Sequence, residues 1–134
     1  MLACVLAAAL QGCSVERREM QRVRSPDDQV DAVLVRINGG ATTALTWNLY
    51  LVPAGAKAEG RESFNADRMS GDSLAVSWKA PGVLEIAYPS GTIHHFTNSW
   101  RTSRVGDSTV QVELTLRRLG ATHDPQTASP DSPK

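Results

Sequence analysis

The chain has 134 residues, with 14 Lys and Arg against 14 Asp and Glu. That length allows one domain, and the even charge balance excludes the basic excess of a general nucleic-acid binder. The 2 cysteines, Cys4 and Cys13, both precede the segments able to fold. The rest of the chain therefore has no disulfide and no thiolate metal site, and must be held by an apolar core.

Leu2 to Leu10 is an apolar run. It is too short to span a bilayer, which takes about 20 residues, but it fits the apolar region of an export signal. Leu10-Gln11-Gly12-Cys13 ends that run and sets a small residue directly before a cysteine. This is the layout of a bacterial lipoprotein signal, with cleavage between Gly12 and Cys13 and a lipid on the Cys13 thiol. No Lys or Arg precedes the run, which suggests a start upstream of Met1. The expected plan is a signal over 1–12, a lipidated cysteine and tether over 13–24, a β domain over 25–119 and a disordered tail over 120–134. The tether carries Arg17, Arg18, Arg22 and Arg24 against Glu16 and Glu19. Its positive charge favours anionic headgroups.

Ser25-Pro26-Asp27-Asp28 is a turn signal. Gln29 to Ile37 follows, apolar on both faces, and predicts a strand covered on both sides. Asn38-Gly39-Gly40 accepts the conformations a reversal needs. In Leu45 to Val52 the residues Leu45, Trp47, Leu49 and Leu51 alternate with polar ones, so the two strands form an antiparallel hairpin closed by Asn38 to Thr43. Pro53 ends the second strand. Ala54 to Asp72 reads as a long polar loop with Phe64 anchoring its middle. Leu74 to Lys79, Val83 to Tyr88 and Thr92 to Phe96 alternate between tight turns and predict a three-strand meander. Asn98 to Ser108 reads as a loop. Thr109 to Arg118 is the clearest strand, with Val110, Val112, Leu114 and Leu116 facing inward. No segment has a helical period. The fold class is thus all-β: about six antiparallel strands in a small sandwich, a partly open barrel or a single twisted sheet.

Ser25-Pro26-Asp27, Asp31-Ala32-Val33, Gly39-Gly40-Ala41-Thr42-Thr43 and Tyr50-Leu51-Val52-Pro53 carry a resemblance, supported by Trp78, Leu84-Glu85-Ile86 and Phe96. On these residues the chain resembles a family of small exported bacterial proteins, often lipoproteins, of unknown function. The resemblance covers Ser25 to about Arg117 and implies neither catalytic residues nor a ligand. Ser-Pro-Asp opening a strand is also similar to blade starts in some β-propellers. A chain this short supplies roughly one and a half blades of about 40–45 residues, which excludes a closed propeller.

Four patterns invite a chemical reading. Gly71-Asp72-Ser73-Leu74 spells the signature of one lipase and esterase class, but it leads into a strand, and no Asp-x-x-His pairing accompanies His123. Gly106-Asp107-Ser108 repeats its first three letters before another strand, which points to turn chemistry. His94 and His95 are adjacent on a strand, so they are expected on opposite faces and not on one metal ion. Asn38, Gly39, Gly40, Thr42 and Thr43 form the candidate binding surface, since glycine-rich turns can offer backbone N–H groups to an anion. Tyr50, Tyr88 and Trp100 with Arg101 and Arg104 are a second candidate contact patch.

The expected function is a lipid-anchored bacterial cell-envelope protein, held to a membrane through Cys13. It acts by binding an envelope protein partner, without catalysis, cofactor, metal or nucleic acid. Ser14 after the cysteine suggests the outer membrane, facing the periplasm, by resemblance to other lipoproteins. The alternatives are a hydrolase using Ser73 and a self-associating module that pairs through a strand edge.

Overall fold

Turn residues cut the chain into short segments of alternating polarity, and these segments become strands. The computed structural model describes residues 15–40, 43–69, 74–105 and 108–120, with backbone alone at 103–105 and 108. Nine strands run through them: β1 Glu16–Arg24, β2 Val30–Asn38, β3 Thr46–Pro53, β4 Phe64–Asp67, β5 Ala75–Ala80, β6 Val83–Tyr88, β7 Thr92–Phe96, β8 Ser99–Val105 and β9 Ser108–Arg118. They form a five-stranded sheet, β1-β2-β3-β4-β7, and a four-stranded sheet, β5-β6-β9-β8, neither closed into a barrel.

The core lies between the sheets. Val30, Ala32 and Leu34 of β2, Leu49 of β3 and Phe64 of β4 meet Leu84 and Ile86 of β6 and Leu114 of β9. These are the inward positions of a period-two pattern, so one face of each strand supplies the whole interface. Trp78 Nε1 donates to the Val23 carbonyl at 2.9 Å, which ties β5 to the edge strand β1 of the opposite sheet.

Several sequence expectations are corrected. The described residues form nine strands where about six were expected. The stretch over 16–24, read as a tether, is β1, paired with β2 along its length. A bulge at Met20 breaks its alternation. Arg17 and Glu19 before the bulge therefore share the outer face with Arg22 and Arg24 after it. The expected meander is split: β5 and β6 pair, but β7 crosses to the other sheet and pairs with β4. Residues 99–105, read as loop, are β8. Because the chain leaves for the other sheet between them, β6 and β9 run parallel. Leu45, expected to face inward, precedes β3 and is 43% exposed. The β2–β3 hairpin, the two-sided burial of β2 and the inward face of β9 match the sequence pattern.

The two outer faces differ. That of the smaller sheet is polar, with Glu85 held by Arg117 at 3.0 Å and Lys79 at 3.5 Å. That of the larger sheet carries a second apolar layer, Val33, Val35, Tyr50 and Val52, roofed by Ala56 and Ala58 of the segment after β3.

Candidate functional site

The site follows from where that roof is fastened. Asp31 stands on the outer face of β2 in an otherwise apolar run and is 0% exposed. A buried carboxylate must find donors. Asp31 finds Arg22 at 2.9 Å, Arg24 at 3.0 Å and the Gly55 N–H at 2.8 Å. Burial works against its charge, but Arg24, the Gly55 amide and Arg22 together outweigh burial and hold the carboxyl down to about 2. Arg22 also donates to the Ala56 carbonyl at 3.0 Å, and Arg17 to that of Ala58 at 3.3 Å. The Arg17 guanidinium lies over the Tyr50 ring, 5.4 Å from its centre. These bonds pull the chain after Pro53 onto the outer face of the sheet.

The consequence appears at the free side of β3. Its eight residues meet only four of β4, whose pairing runs from Asp67 opposite Thr46 to Phe64 opposite Leu49. Ser63 N–H still donates to the Leu49 carbonyl, and then the two segments diverge. Backbone groups alternate in direction along a strand, so the Leu51 N–H and C=O also point to this side, where no described strand pairs with them. A groove of about 880 Å³ opens there. Leu51 to Pro53 form one wall and Ser99 to Arg101 of the edge strand β8 the other. Lys57, Glu59 and Arg61 stand along the roof side. Trp100, packed against the inter-sheet core, gives the groove an apolar surface beside Leu51.

The residues singled out in the sequence are placed as follows. Cys13 and Thr42 lie outside the described residues, as do Gly71, Asp72, Ser73, Gly106, Asp107 and His123. In the β2–β3 connection the Asn38 side chain accepts from the Gly40 N–H at 3.1 Å, and Thr43 donates to the Gly40 carbonyl through both its N–H and its Oγ1 at 3.2 Å. The Gly40 amide is thus consumed inside the turn. A Cβ on Gly39 would stand 2.7 Å from Thr43 Oγ1, so the Thr43 side chain would have to turn away. Ser25 is likewise a turn residue: its Oγ accepts from the N–H groups of Gln29 and Val30 and donates to Asp27.

His94 and His95 depart from the expected opposite faces. A register shift between Asn65 and Ala66 leaves His94 as an extra residue in β7. His94 reaches Asp67 at 3.1 Å and His95 reaches Thr97 at 3.1 Å, so the two rings do not converge. Among the described residues no group of three or more His, Cys, Asp or Glu side chains is placed to hold a metal. The aromatic patch is not assembled either. Tyr50 is buried in the outer layer, Tyr88 and Trp100 pack on the core, and Arg101 donates to Gln111. The side chain of Arg104 is outside the described set. Trp100 and Arg101 do line the groove. The Asp31 clamp was not singled out in the sequence. Its signal was there, in a lone acid within a strand apolar on both faces.

Searches of the chain against family models, curated proteins and solved structures return no match.

Proposed function

We propose that the protein is a lipid-anchored binding domain of the bacterial envelope that takes an extended peptide segment of an envelope partner into the groove beside β3. The observation that carries this reading is the half of β3 beyond Leu49, left without a described strand neighbour on its β4 side and flanked by the edge strand β8. The strand edge facing the groove offers the Leu51 N–H and C=O; Pro53 has no N–H, and its carbonyl already accepts from the Ala56 N–H. A peptide laid along this edge gains main-chain hydrogen bonds, and its alternate side chains turn toward Leu51 and Trp100. The anchor half of the proposal rests on the order of apolar run, Gly12 and Cys13. Each buried methylene of an acyl chain adds about 0.8 kcal/mol, so two or more chains suffice for stable attachment.

Two experiments test the two halves. Cys13→Ala is expected to move the protein from the membrane fraction to the soluble fraction; a variant that stays with the membrane removes the anchor. A photo-crosslinker at Glu59 in intact cells is expected to capture an envelope protein through an extended segment, whereas one at Glu16 is not. A synthetic peptide of the captured segment should then slow hydrogen exchange at the Leu51 amide. Unchanged exchange at Leu51 rules out strand addition.

A further inference from the structure

Building on the anchor reading, we propose that the pole of the sandwich formed by Val15, Leu45, Arg18, Arg36, Arg68 and Arg118 is a docking surface for an anionic phospholipid bilayer. The topology brings these residues together. Arg18 and Arg36 are direct partners across β1 and β2, and Arg36 stands opposite Trp47 at the start of β3. Arg68 follows Asp67, which pairs with Thr46 and Thr92 at the same end. Arg118 ends β9 opposite Tyr88, and the short link 89–91 joins Tyr88 to Thr92.

The arginines whose side chains are described divide into two sets. Arg17, Arg22, Arg24, Arg101 and Arg117 are engaged by rings, carbonyls or side-chain oxygens. Among the described residues, Arg18, Arg36, Arg61, Arg68 and Arg118 have no ion-pair or hydrogen-bond partner; four of these five stand at this pole, and Arg61 lines the groove at the other. Two like charges directly opposite on paired strands repel each other, so this pole favours an outside anion. The acids near it are Glu16 and Asp67; Asp67 Oδ2 lies 3.1 Å from His94 Nε2. The far pole is mixed, with Asp27, Asp28, Glu59 and Glu62 beside Lys57, Arg61 and Arg101. Of the described residues, Val15, Met20 and Leu45 are the exposed large hydrophobics, and two of them sit at the basic pole. Only Ser14 separates Val15 from Cys13, and β1 begins at Glu16. On the anchor reading, the lipid attaches two residues before Val15 in the sequence. The groove then opens at the end of β3 that points away from the bilayer.

The test uses the full chain carrying Cys13→Ala, which cannot be acylated, with phosphatidylcholine vesicles that contain or lack phosphatidylglycerol. The parent is expected to co-sediment preferentially with the anionic vesicles. Each neutralised arginine should weaken that preference about fivefold, so the Arg18→Gln, Arg36→Gln, Arg68→Gln, Arg118→Gln combination should abolish it. Lys57→Gln, Arg61→Gln and Arg101→Gln at the far pole should leave it intact. No preference in the parent, or equal loss from both poles, overturns the proposal. If the fourfold variant loses its β-sheet spectrum, Leu45→Glu gives the same readout: a weakened preference is expected, and an undiminished one counts against the surface. None of this depends on a lipid at Cys13, so a failed anchor shows separately in the fractionation.

Discussion

The two apolar layers on either side of the larger sheet are held by different forces. Between the sheets, large side chains from both partners interlock: Phe64, Leu34 and Leu49 from one, Leu84, Ile86 and Leu114 from the other. Area alone can hold that interface. On the outer face the roof contributes only Ala56 and Ala58 over Val33, Val35, Tyr50 and Val52. A methyl group is worth about 0.8 kcal/mol, too little to order a loop whose residues each lose about 1–2 kcal/mol of backbone entropy. Directional bonds from Asp31, Arg22 and Arg17 make up the difference. A small-residue roof thus requires a buried charge, and a buried charge brings pH dependence.

The sharpest break is in the inter-sheet layer. Phe64→Ala should cost about 3–5 kcal/mol in urea unfolding, and a loss near that of a surface substitution would deny this layer its primacy. Next comes the crossover that feeds it. Gly91 has φ +139°, and a Cβ there would stand 2.8 Å from the Asp67 carbonyl oxygen. Gly91→Ala should therefore cost about 3 kcal/mol through strain and backbone displacement, read as a lower melting temperature.

The outer layer should respond less, and with pH. The Asp31 carboxyl, ordinarily at 3.8, is held down to about 2 in the fold. Its contribution, about 2 kcal/mol, is complete above the ordinary value and is lost as pH falls through about 2. Asp31→Asn should be destabilised by that amount at neutral pH and converge with the parent in acid. Hydrogen exchange should quicken at 56–62 and not at Leu84; equal acceleration at both would merge the layers into one unit. The smallest effect expected is from Trp78→Phe, about 1 kcal/mol for the bond to Val23, with fraying of β1 as its sign. An unchanged β1 exchange pattern would show that β1 is held by β2 alone.

How much of this was legible depends on the range of the interaction concerned. The strands β2, β3, β5, β6, β7 and β9 follow from alternation and turn residues, which act over a few positions. β1 was hidden because ERREMQRVR has a bulge at Met20 and few apolar residues; it reads as solvated chain until β2 supplies its ladder. β8 was hidden for a similar reason, being a polar edge strand. In the candidate site, Trp100 and Arg101 were marked by residue type, Asp31 was not singled out although it is a lone acid in an apolar run, and no local signal linked the three.

By itself the sequence determined the all-β class, the buried faces of β2 and β9 and the β2–β3 and β5–β6 hairpins, because side-chain period and turn chemistry are local. Only the tertiary structure decided that β7 changes sheets, that β6 and β9 run parallel, that Asp31 clamps the roof and that β3 outruns β4 to leave a groove. Those outcomes depend on which distant segments meet and in what register, and no window of neighbouring residues contains that information.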